Sequence, residues 1–272
     1  MKCFLKKIIP NFIKRIYSKI NARKNLSWHG DYSSWKEAKR NCTGYESNDI
    51  LEKVKNSLLK VKSGEYVYER DSVLFEKIEY SYPLLTVLLW VAGINNNKLN
   101  VIDFGGSLGS TYYQNKSFLD HLELLRWNIV EQENFVKCGK ENFENEELKF
   151  YYSIDDCLNE NDTKLILFSS VVQYLENPFD FLNEVVEKGV EFILFDRTSI
   201  INSNDHRLCV QTSIQYEKED TYPVWLFNEE KFMDIFKKKY KLIFDFNAFV
   251  GDEYSIDKKT RFRDKGFFFQ RI

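Results

Sequence analysis

Read for the spacing of apolar and polar positions, the chain changes texture once, near residue 100. Before that point apolar residues recur at helical intervals. Ile50, Leu51, Val54, Leu58 and Val61 mark one face of a helix over 49–62, with Ser47 or Asn48 as its cap and Gly64 at its end. Ser34 and Glu37 stand at capping-box spacing and open a short helix. The pattern over 66–78 also reads as helical. So does 81–92, with Pro83 in the first turn, where a missing N–H costs nothing. After residue 100, short β-branched and aromatic runs alternate with amphipathic stretches. They predict strands at 100–104, 127–131, 149–152, 165–169, 191–196, 242–249 and 266–271. Helices are expected at 110–125, 134–143, 154–160, 178–187 and 229–238.

Strand-then-helix repetition predicts an α/β fold: a Rossmann-like, seven-stranded, mostly parallel sheet with helices on both faces. Only a polar loop separates the last two strands, so they are expected to pair antiparallel. The layout expected is a basic amphipathic helix over 1–24, a helical extension or lid over 25–97, and the α/β domain over 98–272.

Composition narrows the classes. A hydrophobic fraction of 43% with 29% charged residues fits a globular chain, and 16% aromatics imply a bulky core and an aromatic-lined cleft. A net charge of -2 argues against a general nucleic-acid binder. The five cysteines are odd in number, scattered and never at C-x-x-C spacing. Neither a disulfide framework nor a zinc site is expected, and reduced thiols suit a cytoplasmic protein. The three histidines form no local metal motif, and the apolar run 83–94 falls short of the ~20 residues a membrane-spanning helix needs.

Residues 1–24 differ from the rest. Eight cations, from Lys2 to Lys24, precede the first acid, Asp31, while Phe4, Leu5, Ile8, Ile9, Phe12, Ile13, Ile16, Tyr17 and Ile20 share a helical face broken at Pro10. Lysines interrupt the apolar run and no small-residue cleavage site follows, so a secretory signal is not expected here. Such a helix either rests peripherally on an anionic membrane surface, here the inner face, or packs on its own domain.

Chemistry is expected beyond the carboxyl ends of the parallel strands. The first ends in Asp103-Phe104-Gly105-Gly106-Ser107-Leu108-Gly109, where glycines allow close backbone approach and a helix begins. Relative to Gly106 and Gly109, the first position of a Gly-x-Gly-x-x-Gly pattern is Phe104, which argues against a dinucleotide. Glu131 ends the second strand, where an acid can accept from both hydroxyls of a ribose or simply be solvated. Asp155 follows the third, as a ligand for an amino group or as part of a helix cap. The fourth leads into Ser169-Ser170-Val171-Val172-Gln173-Tyr174-Leu175-Glu176-Asn177-Pro178.

At this segment the chain resembles the class I S-adenosylmethionine-dependent methyltransferases, in the order and spacing of residues 98–272. More narrowly it is similar to an uncharacterised bacterial methyltransferase-like family that accompanies surface-polysaccharide genes. The matching features are Trp28-x-Gly30-x-Tyr32, Tyr68-Glu69-Arg70-Asp71-Ser72, the glycine turn, Glu131-Gln132 and Asp196-Arg197-Thr198. The resemblance implies S-adenosylmethionine as cofactor. Gly105, Gly106, Ser107 and Gly109 would flank its methionine part, with Asp103 supporting the turn. Glu131 would hold the ribose, Asp155 or its neighbour the adenine, and Ser170 would face the cofactor. The pattern usually has glycine where this chain has Ser107. A metal is not implied.

For transfer to oxygen a general base helps. Asp196, Arg197, His206, Arg207, Gln173 and Tyr174 are the candidates, with Glu69, Arg70 and Asp71 reaching in from the lid. His206 is the most economical, because an imidazole titrates near neutral pH. Tyr222-Pro223-Val224-Trp225 either stacks on an acceptor or packs beneath the sheet. The function expected is O-methylation of a small-molecule or glycan acceptor. The alternative is a partner or scaffold protein of the same fold without turnover, in membrane-associated glycan assembly.

Overall fold

The computed structural model describes residues 26–42, 47–70, 72–215, 218–249 and 253–272, so the basic segment 1–24 and Asp71 lie outside the described residues. The N-terminal part comprises β1 (Leu26–His29), α1 (Trp35–Arg40), α2 (Ser47–Lys62), β2 (Tyr68–Arg70), β3 (Val73–Phe75) and α3 (Tyr82–Ile94). There follow β4 (Lys98–Phe104), α4 (Ser110–Leu119), β5 (Leu124–Val130), α5 (Glu133–Asn142), β6 (Leu148–Tyr151), α6 (Ile154–Glu160) and β7 (Leu165–Ser169). A short 3-10 turn, Val172–Tyr174, leads to α7 (Pro178–Lys188). The chain ends with β8 (Phe192–Ile201), β9 (Arg207–Gln215), β10 (Lys218–Asn228), α8 (Glu229–Asp234), β11 (Tyr240–Asn247), β12 (Tyr254–Ser255) and β13 (Arg261–Arg271).

Seven strands form the expected sheet in the order β6-β5-β4-β7-β8-β13-β11, parallel as far as β8. β13 runs antiparallel to both β8 and β11. The central strands read as continuous apolar runs because both faces are covered. Val101, Trp127, Leu165, Leu167 and Phe268 pack toward α2, α3, α4 and α5. Their alternates Ile102, Ile166, Phe168, Phe195 and Phe267 pack toward α6, α7 and α8. Local signals set the helix starts. Ser34 and Ser153 accept from the backbone N–H three residues on, as does Asn228, and Pro178 occupies the first turn of α7.

One expectation fails. The segment 66–78 is not helical: β2 and β3 form a hairpin in which Tyr68 and Phe75 stack across the strands at 5.4 Å. Three-residue strands are too short for period alone to separate from a helix, and cross-strand packing decides. Over 201–228, where no strand was expected, the chain adds two more. β9 and β10 pair antiparallel over most of their length, and β1 pairs with β9 from the far end of the chain. β10 touches β8 only at Phe227 and Asn228, so Pro223, which has no N–H to donate, sits clear of that ladder. Trp28 on β1 packs against Tyr254 and Phe262, which ties the added strands to β12 and β13. Among the described residues, no helix is long and apolar enough to cross a membrane.

Candidate functional site

Strand order reverses at β4, with β5 and β6 on one side and β7 and β8 on the other. In open α/β sheets the crevice for a ligand opens at this point. The turn leaving β4 is anchored there by the Gly105 N–H, which donates to the Val130 carbonyl on β5 at 2.9 Å. Gly105 has φ +70°, and a Cβ on it would lie 2.4 Å from Val171. On Gly106 a Cβ would stand 2.6 Å from the Asp103 carboxyl carbon. Glycine is therefore required at both positions for the turn to close over the acid. Ser107 takes φ +56°, the left-handed conformation that glycine usually supplies, and the turn keeps its shape around it.

Asp103 lies under that turn, buried, accepting from Trp127 Nε1 at 3.0 Å. Burial pushes its pKa up to about 7; the Trp127 N–H opposes this, nearby Glu131 adds to it and Arg197 opposes it. Glu131, just past β5, accepts from the Gln132 N–H at 2.6 Å and lies close enough to the Ser107 N–H to be stabilised by it, so strand-end acid and glycine turn adjoin. Burial raises its pKa, and these two donors pull it back.

The ends of β7 and β8 form a second group. Asp196 is buried, its Oδ2 accepting from the Ser169 hydroxyl at 3.2 Å with Arg197 Nε at 3.7 Å. Arg197 Nη2 donates to Ser169 Oγ at 3.3 Å. Ser170 and Arg197 both have positive φ, +56° and +55°, and the Ser170 N–H donates to the Asp196 carbonyl at 2.9 Å. β8 is bulged here: Phe267 pairs with Phe195 and Lys265 with Thr198, so Asp196 and Arg197 together face Gly266. Such bulges re-aim side chains. Burial raises the Asp196 pKa, which Arg197 and Ser169 oppose. Gln173 Nε2 donates to the Arg197 carbonyl at 3.0 Å and approaches Ser170 Oγ at 3.4 Å.

Four predicted residues are drawn elsewhere. Asp155 is exposed and paired with Lys188 at 2.5 Å. Tyr174 donates to Gln211 Oε1 at 3.2 Å and packs edge-on against Tyr222, facing β9 and β10. His206 Nδ1 accepts from the Asn228 N–H at 3.0 Å, and its ring meets Phe179 at 4.6 Å and Phe227 at 5.8 Å. β8 continues past Asp196 to Ile201 before the turn to His206, roughly 16 Å at the rise of an extended strand. His206 thus belongs to the β8–β10 junction, and burial lowers its pKa. Arg207 donates to the Gly30 carbonyl and to Asp257.

From the N-terminal part, buried Glu69 accepts from the Ser110 hydroxyl at the start of α4 and from the Ser72 N–H at 3.0 Å. The hairpin therefore sits on the helix that leaves the glycine turn. Arg70 lies over Phe75 and Phe249. Sequence reasoning missed Asp264, which accepts from Ser199 Oγ at 2.8 Å and whose pKa burial pushes up to about 6. The pairing of β13 with β8 places it there, and no local signal does. Thr198 was visible only as the third member of Asp196-Arg197-Thr198. Among the described residues, no group of three or more His, Cys, Asp and Glu is placed to hold a metal ion.

No protein-family model matches the chain, and no curated protein matches its sequence. Among solved structures it is similar to the N-terminal domain of EvdMO1, crystallised in the presence of SAH and D-fucose, at 9% identity. That likeness covers 84% of this chain and 98% of the other, with a TM-score of 0.45. It is also similar to SAM-bound CalS10, an amino pentose methyltransferase from Micromonospora echinaspora (7% identity, 71% of this chain, 92% of that one, TM-score 0.44). The mitomycin 7-O-methyltransferase MmcR shows 12% identity over 69% of this chain and 54% of its own, with a TM-score of 0.42.

Proposed function

We propose that this protein is an S-adenosylmethionine-dependent methyltransferase acting on a hydroxyl of a small-molecule or glycan acceptor. One observation carries the reading: at the switch point of the sheet, the left-handed glycine turn after β4 and the Glu131 carboxyl just past β5 lie side by side, close enough for the Ser107 N–H to favour the charge on Glu131. A turn open to close backbone approach, beside an acid with lone pairs to spare, fits a ribose with a short charged tail. Glu131 would accept from the ribose hydroxyls, and Gly105 to Gly109 would flank the methionine part, with Asp103 supporting them from below. Ser170 would face the cofactor from the β7 side. The adenine would lie against the start of α6, where Asp155 is tied to Lys188 and its neighbour Asp156 is exposed.

The bound cofactor supplies a methyl group already activated on a sulfonium, so the protein's part is alignment and proton removal. Asp196 suits the second task. One of its oxygens is held by Ser169, with Arg197 alongside, and the other has no partner. It is thereby oriented to accept the hydroxyl proton.

Calorimetry of the full chain with S-adenosylmethionine and S-adenosylhomocysteine tests the reading. Heat that saturates is expected, and none at millimolar ligand would overturn it in favour of a partner protein without turnover. Glu131→Ala should weaken binding at least tenfold, about 1.4 kcal/mol; an unchanged affinity removes Glu131 from the site. The finer proposal, that residues 1–24 rest on an anionic membrane surface, is supported by their coincident cationic and apolar pattern.

A further inference from the structure

The N-terminal hairpin and the segment after it are held along one stripe of α4. Ser110, Gln114 and Phe118 follow one another at four-residue spacing and share a helical face. The Ser110 hydroxyl donates to Glu69 Oε1 on β2, Gln114 Nε2 donates to the Glu79 carbonyl, and Phe118 meets Tyr80 edge-on at 5.0 Å. The hairpin turn is fixed as well. The Ser72 N–H donates to Glu69 Oε2 at 3.0 Å, and the Ser72 carbonyl accepts from the Ser57 hydroxyl on α2 at 2.9 Å. Glu69 is thereby held at the first residue of α4.

That position has a chemical meaning. α4 leaves the glycine turn, and a helix N-terminus after such a turn is where α/β folds receive the phosphates of a nucleotide. Here the N-cap is Gly109, which has no side chain to offer, and the carboxyl that meets the first residue of α4 comes from Glu69, 41 residues earlier. Glu69 is 1% exposed. Its two oxygens accept from a hydroxyl and from a backbone N–H, the arrangement of an ionised carboxylate. Successive strand residues point to opposite faces, and its neighbour Arg70 is turned away, over Phe75 and Phe249 with Glu79 at 4.0 Å. Three residues earlier on the turn, the Ser107 N–H adjoins Glu131. Acids therefore stand at both ends of the turn, where a negative ligand meets like charge and a positive one meets its opposite.

We propose that Glu69 sets the charge preference of the cofactor site: the protein's own carboxylate stands where a nucleotide would place a phosphate, so the turn rejects nucleoside phosphates and takes S-adenosyl ligands. The proposal rests on the reading of this turn as the cofactor site and names a residue, outside the α/β domain, that discriminates there. Repulsion of the wrong ligand is enough for this, without a bond from Glu69 to the right one.

Calorimetry of the full chain with four ligands that share adenosine tests the proposal. Adenosine and S-adenosylhomocysteine carry no net charge, S-adenosylmethionine adds a positive sulfonium, and ADP is negative. In the wild type, ADP should bind at least tenfold more weakly than S-adenosylhomocysteine. Glu69→Gln keeps the size of the side chain and removes its charge. It should tighten ADP fivefold or more relative to adenosine, and weaken S-adenosylmethionine fivefold or more relative to S-adenosylhomocysteine. A merely structural role would move all four ligands by one factor. Ser110→Ala removes the bond and keeps the charge, so both ratios should stay within twofold of the wild type. Smaller changes of ratio in Glu69→Gln, or the same changes in Ser110→Ala, overturn the proposal. So does wild-type ADP binding less than tenfold weaker than S-adenosylhomocysteine, a result that needs no variant to fold. Any of these with saturable S-adenosyl binding sinks this proposal alone, whereas no heat from either S-adenosyl ligand sinks the cofactor reading itself.

Discussion

Replacing Asp103 by asparagine should make the protein more stable at neutral pH and leave its stability near pH 4 almost unchanged. Asp103 is 1% exposed beneath the glycine turn, and burial raises its pKa from 3.8 to about 7. The native state therefore keeps a proton that the unfolded chain releases above about pH 4. The unfolded state binds fewer protons across this window, so stability falls as pH rises and the loss levels off near pH 7. The gap between 3.8 and about 7, at about 1.4 kcal/mol per pH unit, amounts to roughly 4 kcal/mol. Asparagine keeps the shape, keeps an oxygen for the Trp127 N–H and carries no charge to desolvate. Asp196, Asp264 and Glu131 also have raised values, so the wild-type slope alone is not diagnostic. The diagnostic quantity is the difference between Asp103→Asn and wild type, from urea unfolding at pH 4, 5, 6, 7 and 8. It should grow with pH toward about 4 kcal/mol and then flatten. A difference constant across the range would refute the reasoning.

The same geometry predicts other outcomes. Gly105→Ala combines a positive φ with a Cβ 2.4 Å from Val171, so it should cost about 2–4 kcal/mol in chemical unfolding, and adding Val171→Ala should recover part of that. A loss under 0.5 kcal/mol would mean the turn is looser than described. His206→Ala removes the acceptor of the Asn228 N–H and a contact with Phe179. It should cost about 1–2 kcal/mol of stability and less than twofold in methyl transfer. A hundredfold loss of turnover with stability intact would return His206 to the role of base. Deleting residues 1–24 should abolish flotation with anionic vesicles, and equal flotation of the shortened chain would dispose of the membrane proposal.

Much of the fold was legible in the sequence because its signals are local or doubly enforced. β4, β7 and β8 read as apolar runs since each is buried on both faces, Ser34, Ser153 and Asn228 mark helix starts by bonding their own neighbours, and Pro178 does so by its fixed φ in the first turn. The glycine turn was legible for the same reason: Gly105 and Gly106 are dictated by their own backbone and by Asp103 and Val171 close by. The rest was settled by pairings that no local pattern encodes. The hairpin 68–75 is too short for its period to be decisive, and β1 finds β9 across some 180 residues. Asp155 was expected at the site but is drawn to Lys188, and His206 is fixed at a strand junction. Conversely, Asp264 joins Asp196 and Arg197 only because β13 lies beside β8. Composition and periodicity decide which segments must be buried. Which polar side chains then share one buried space is decided by strands meeting across the whole length of the chain, where register fixes the direction of every side chain.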